Sequence, residues 1–231
     1  MNYCFPPLPI PSLPVAGTNA RFPVRRIFCV GRNYAEHARE MGKDPDRDPP
    51  FFFTKPADAI VEDGQTVAYP PETKNFHYEA ELVVAIGNAG SDIPEDRALD
   101  HIFGYAVGND LTRRDLQLAA RETGRPWDWG KAFDRSAVIG PIYPVAEVGH
   151  PDHGAIRLTI NGTVRQHADL ADLIWSVPEI VSILSHSMEI RPGDLVMTGT
   201  PAGVGAMQVG DVCVVSIDGL GQIVTTIGPR A

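Results

Sequence analysis

The sequence is poor in cysteine, short of positive charge and without a long apolar run, and each shortage removes a class of protein. Three cysteines occur in 231 residues, Cys4, Cys29 and Cys213. They are far apart and form no C-x-x-C pair, so neither a zinc site nor a redox motif is indicated. Cys29 and Cys213 lie in apolar runs and read as buried thiols, which suits a reducing cytosol. Lys and Arg number 20 against 29 Asp and Glu, a net charge of −9. Polyanion binding needs clustered cations that displace counterions, so no nucleic-acid partner is expected. No apolar run approaches the roughly 18 residues that span a bilayer, which argues against a membrane protein. Internal repeats and charge blocks are missing too. The run Thr198-Gly-Thr-Pro-Ala-Gly-Val-Gly205 lacks the Gly-Lys-Ser/Thr of a phosphate loop, and no Gly-x-Ser-x-Gly elbow offers a nucleophilic serine.

What the chain has in quantity is turn formers, 22 glycines and 21 prolines. Pro6, Pro7, Pro9, Pro11 and Pro14 prevent a helical signal-peptide core, and no basic residues precede them. Residues 1–24 therefore read as an extended, proline-rich arm lying on the body or on a partner subunit, ahead of a single domain over 25–231. A cytoplasmic protein is expected. Strand patterns occupy Arg26–Val30, Phe51–Thr54, Ala59–Ile60, Leu82–Ile86, Leu195–Thr198, Val212–Ile217 and Ile223–Ile227. Asn161-Gly162 between Leu158–Ile160 and Val164–Gln166 signals a hairpin. Helices are expected over Asn33–Met41 with Asn33 as N-cap, over Thr112–Thr123 with Thr112 as N-cap and Gly124 as stop, and after the Ser176/Glu179 capping box. Strands outnumber helices and do not alternate with them, so the fold class is α+β, strand-dominated, with a few short helices.

The chemistry concentrates on acids. Glu79 and Glu81 precede the strand Leu82–Ile86, and a side-chain period of two puts both on one face. Close together they would repel, raising at least one pKa unless a cation lies between them; an exposed polar face would show the same alternation. Asp110, closing the stretch from Gly104, is a third acid, or else a capping acid for the next helix. Three oxygen ligands without cysteine favour a hard cation, Mg2+ or Mn2+. Arg114 and Gln117 share a helix face, where Arg114 could grip a carboxylate; Arg113 points elsewhere, as a surface residue. Lys131 sits among aromatics that would strengthen its field, or it snorkels outward. His37 and Glu40 at i, i+3 form either a base with its orienting carboxylate or a plain surface ion pair. Gly31 and Gly42 would let that segment move as a lid. His150 and His153 read as a solvated turn rather than a metal pair.

Val30-Gly-Arg-Asn-Tyr-Ala-Glu-His37 with Glu40, Phe53-Thr-Lys-Pro56, His77-Tyr-Glu-Ala-Glu81, Gly108-Asn-Asp110, Arg114-Asp-Leu-Gln117, Lys131 and Thr198–Gly205 follow one another in the order and spacing of the fumarylacetoacetate hydrolase family, which this chain resembles over residues 25–228. The resemblance implies a mixed β-sandwich roll, usually dimeric, of the family's C-terminal-domain type. It implies Glu79, Glu81 and Asp110 as Mg2+ ligands, Mn2+ being an alternative ion. Lys131 would assist the metal, and His37 with Glu40 would activate water. Arg114, Gln117 and Thr200 would contact the oxo-acid end of the substrate; Arg32 and the Lys43–Pro50 loop are candidates for its distal end. The chain looks like the short acylpyruvate-hydrolase branch, which cleaves a carbon–carbon bond of an anionic 2,4-diketo acid, for instance fumarylpyruvate from gentisate catabolism. An oxaloacetate decarboxylase or tautomerase, or a 2-hydroxy-dienedioate isomerase, is the alternative within the family. A non-catalytic dicarboxylate-binding protein is the alternative outside it.

Overall fold

The computed structural model describes residues 2–36 and 48–230. The expected strands form, with small shifts at their ends, because their alternating apolar residues have two facing cores to fill. A large mixed sheet runs in the order Phe52–Lys55, Arg26–Val30, Asp194–Met197, Ala80–Ile86, Ile102–Asp110, Ala137–Ile139 and Ile60–Glu62. A second sheet runs Thr163–Asp169, Ala155–Ile160, Val212–Ile217, Gly221–Gly228 and Thr66–Ala68. Together they make the strand-dominated, curled β-sandwich roll that the sequence resemblance implied.

The Ala80–Ile86 strand is buried on both faces, and its period of two sorts the chain between the cores. Leu82, Val84 and Ile86 join Tyr105, Val107 and the second sheet's Leu158, Val215 and Ile223 in the main core. Val83 and Ala85 face the other way, against Ala106, Leu195, Met197, Leu13 and Phe22. Leu13 and Phe22 come from a short antiparallel ribbon, Ser12–Pro14 with Arg21–Pro23, laid across that face. Ahead of the ribbon, Tyr3, Phe5, Leu8 and Ile10 are exposed. Among the described residues no helix is long and apolar enough to cross a membrane.

Local signals hold in most places. Asn161 and Gly162 take positive φ (51° and 79°) in the expected hairpin. The Glu179 carboxylate accepts from the Ser176 N–H (2.8 Å) and hydroxyl (2.7 Å) at the head of the Val177–Ser187 helix. Three expectations need correction. The helix expected from Thr112 begins at Arg114, because Thr112 and Arg113 pair as a strand with His77 and Phe76. The Thr112 hydroxyl donates to Asp110 O at 3.0 Å instead of capping the helix. Arg113 is buried rather than a surface residue, its guanidinium 4.3 Å from the centre of the Phe133 ring. Asn33 does not act as a helix cap: its side chain accepts from Trp175 N (2.7 Å) and donates to Trp175 O (2.8 Å) and Thr198 O (2.9 Å).

Asp194 fastens the sheet at its long-range seam. It is fully buried where the Asp194–Met197 strand pairs in parallel with Arg26–Val30. Its carboxylate accepts from Arg25 Nη1 (3.0 Å), Arg26 Nη2 (2.9 Å) and Arg191 N (2.9 Å). Replacing it strands one backbone donor, while the half-exposed arginines recover water. Asp194→Ala is therefore expected to lower stability by about 2 kcal/mol, which chemical denaturation with an unchanged m value would register.

Candidate active site

The site grows out of strand register. Glu79 O accepts from Asp110 N at 2.8 Å, so these two acids face each other across neighbouring strands, while Glu81 lies opposite Gly108. All three acids continue the sheet face that carries Val83, Ala85 and Ala106 further along. One carboxylate oxygen from each lies within 4.8 Å of those from the other two. Glu79 is 4%, Glu81 2% and Asp110 0% exposed, which removes both the polar-face and the exposed-cap readings.

Charge compensation surrounds them. Lys131 is buried rather than snorkelling, with Nζ donating to Glu79 Oε2 (2.6 Å) and Asp110 Oδ2 (2.8 Å). Burial opposes its charge, but Asp110 and Glu79 outweigh that and hold its pKa above the ordinary lysine value. Lys55 Nζ stands 2.7 Å from Asp110 Oδ1 while donating its hydrogen bonds to the carbonyls of Leu111 and Lys131. Arg114 bonds Glu79 Oε1 through one amino group and Gln117 Oε1 through the other. Its Nε donates to His77 Nδ1 at 3.3 Å, and burial together with Arg114 lowers the His77 pKa to about 4, so this ring is neutral. Glu81 is the exception: it accepts from Gly199 N at 2.7 Å, yet burial and the neighbouring Asp110 and Glu79 push its pKa well up. Gly199 reaches it with φ +99°, in a spot where a Cβ would sit 2.8 Å from Asn33 Cβ.

The donor set fits a hard divalent cation. Among the described residues it consists of carboxylate oxygens alone, and Asp110 Oδ1 is buried with an ammonium nearby but no hydrogen-bond partner among them. Beside the triad opens a pocket whose walls include Arg32, Arg114, Gln117, Arg121, Lys131 and Thr200. The expected metal ligands, Lys131, and all four expected substrate contacts therefore converge on one space. His37 and Glu40 lie outside the described residues, as does Gly42. His150 and His153 take separate partners, Tyr105 Oη (2.7 Å) and Asp152 (2.5 Å).

Sequence reasoning gave no role to Lys55, His77 or Gln166. A lysine ending the apolar run Phe51-Phe-Phe-Thr was a readable signal for Lys55. Gln166, whose Nε2 donates to Thr200 Oγ1 (2.8 Å) and Pro201 O (2.7 Å) and whose Oε1 accepts from Ala80 N (3.0 Å), had none, being one polar residue in a hairpin strand.

The chain is similar to known proteins. The family model for the fumarylacetoacetate hydrolase C-terminal region matches residues 26–228. A fumarylpyruvate hydrolase of Ralstonia sp is 48% identical over 191 residues, covering 82% of this chain and 99% of that protein. An oxaloacetate tautomerase of Escherichia coli K12 is 38% identical over 199 residues, covering 86% of this chain and 90% of its own. The crystal structure of fumarylpyruvate hydrolase from Pseudomonas aeruginosa, in complex with Mn2+ and pyruvate, superposes with a TM-score of 0.97 at 57% identity, covering 99% of this chain and 100% of that one.

The raised Glu81 pKa has a definite sign. Without a cation, ionised Glu81 is a burden that is absent below its ordinary value of 4.5 and grows as pH rises above it. Glu81→Gln, which keeps an acceptor for Gly199, is expected to melt higher than the metal-free wild type at neutral pH, the gap shrinking towards pH 4.5. The same variant should bind Mn2+ at least about tenfold more weakly by calorimetry.

Proposed function

The chain belongs to the fumarylacetoacetate hydrolase family, and within it we propose that this protein hydrolyses acylpyruvates, with fumarylpyruvate giving fumarate and pyruvate. The observation that carries the reading is the buried triad Glu79, Glu81 and Asp110, balanced by Lys55, Lys131 and Arg114 at the edge of a cation-lined pocket. Three acids against three bases leave the site near neutral. A divalent ion would make it net positive, which suits a dianionic diketo acid. The ion held there, Mg2+ or Mn2+, would supply Lewis acidity towards the oxo-acid end and the enolate that leaves from it.

The remaining work falls to side chains. Arg114, Gln117 and Thr200 bind the oxo-acid end. Lys131, dehydrated and cationic, stabilises the negative charge that develops on the leaving pyruvate oxygen. His37, oriented by Glu40, removes a proton from the water that attacks the C4 carbonyl. The C3–C4 bond then breaks, the acyl part leaves as fumarate, and the pyruvate enolate takes up a proton at C3. The reading includes a cytoplasmic homodimer acting in aromatic-acid breakdown such as the gentisate route. Tautomerisation of oxaloacetate is the second reading, favoured by the similarity to the Escherichia coli tautomerase; it uses the same enolate-stabilising end and needs no water.

Incubation with fumarylpyruvate, acetylpyruvate and oxaloacetate, each with Mg2+, Mn2+ or EDTA, separates the two. Hydrolysis predicts cation-dependent pyruvate from the acylpyruvates. Enol–keto exchange of oxaloacetate without pyruvate from either acylpyruvate would hand the site to the second reading. His37→Ala should lower kcat by at least about 100-fold with Mn2+ affinity near wild type; a large loss of Mn2+ binding would place His37 at the metal instead.

A further inference from the structure

The Arg114–Glu122 helix lines the pocket with Arg114, Gln117 and Arg121, spaced so that they share one face. Arg114 lies at the acid triad, bonded to Glu79. Arg121, seven residues on, stands about 10 Å further along the axis at ~1.5 Å per residue. The helix thus presents one guanidinium to the metal end of the pocket and another about two turns away.

Arg32 lines the same pocket. Its backbone sits at φ 134°, which L residues rarely adopt, and its guanidinium rests 5.2 Å from the centre of the Phe51 ring. Strain of this kind persists only where the surroundings enforce it. Burial, and after it the nearby Arg121 charge, lowers the Arg32 pKa against the opposing pull of the Asp48 carboxylate. A guanidinium in the pocket lining suits a planar carboxylate, which it can hold with a forked pair of hydrogen bonds.

We propose that Arg121, together with Arg32, binds the distal carboxylate of a dicarboxylic substrate and so selects diacids from the acylpyruvates. The inference rests on the acylpyruvate reading for the identity of the other end. Length agrees with it. A seven-carbon diketo diacid spans about 7–8 Å between terminal carbons, given C–C bonds of ~1.5 Å, and the carboxylate oxygens and guanidinium reach add the rest. Acetylpyruvate offers no distal charge, and oxaloacetate ends short of Arg121.

The test compares wild type, Arg121→Gln and Arg121→Lys, each with Mn2+. Turnover is followed on fumarylpyruvate and acetylpyruvate. Binding is followed with 2-oxoheptanedioate and 2-oxoheptanoate, which match in length and differ only in the distal carboxylate. Arg121→Gln should raise KM for fumarylpyruvate at least about tenfold with kcat within about twofold, and leave acetylpyruvate unchanged. It should weaken 2-oxoheptanedioate by a similar factor and 2-oxoheptanoate not at all, with Arg121→Lys intermediate because it keeps charge without the fork. Equal losses for both acids, or no loss for either, would overturn the assignment. A wild type that cleaves neither acylpyruvate would defeat the hydrolase reading alone, since the diacid-against-monoacid binding comparison still decides the role of Arg121.

Discussion

Three carboxylates and three cationic side chains share one desolvated space at the end of the large sheet, and the rest of the molecule is arranged to keep them there. Burying charge is expensive unless each ion is matched and hydrogen-bonded. Lys131 bridges Glu79 and Asp110, Lys55 backs Asp110, and Arg114 holds Glu79. Glu81 has only the Gly199 N–H among these close partners, and it is the acid whose ionisation is opposed. The imbalance is local and chemically useful, because a divalent ion removes it.

The scaffold explains why that space does not collapse or flood. Glu79 and Asp110 come from neighbouring antiparallel strands, so main-chain hydrogen bonds fix their separation. Two packed cores clamp those strands from both sides. The Thr198–Gly205 turn is tied to the opposite wall through Asn33, and through Gln166 to the hairpin of the second sheet. Lys55 fixes the Lys131 backbone from beneath. Positioning therefore reaches the site from four distant parts of the chain.

Much of this was legible in the sequence because periodicity and local chemistry speak for themselves. Glu79 and Glu81 read as one face of a strand, the Asn161-Gly162 hairpin and the Ser176–Glu179 cap formed as their residues dictate, and the ordered motifs pointed to the roll. The misreadings came where tertiary pairing overrode a local signal. Thr112 has the chemistry of a cap, but pairing with His77 draws it into a strand. Arg113 alternates away from Arg114, yet the Phe133 ring lies on that side and buries it. Asn33 looks like a cap and serves as a tie between loops more than 140 residues distant. Gln166 was invisible for the same reason, since its partners are brought in only by the fold.

The pocket lining joins Glu79, Glu81, Arg114 and Lys131 with Arg32 and Arg121, and the proposed reading sets the acids and their counter-ions at one end and Arg32 with Arg121 at the other. A ligand with a chelating oxo-acid end and a distal carboxylate would match both ends, whereas a neutral or cationic ligand would match neither. That polarity rests on a cation occupying the triad. The most direct measurement is an anomalous-scattering map from crystals of the protein grown with Mn2+. The account predicts a single strong peak coordinated by Glu79, Glu81 and Asp110, with the Lys131 ammonium moved from between Glu79 and Asp110. A map without density there, the carboxylates still bridged by Lys131 at saturating Mn2+, would contradict it.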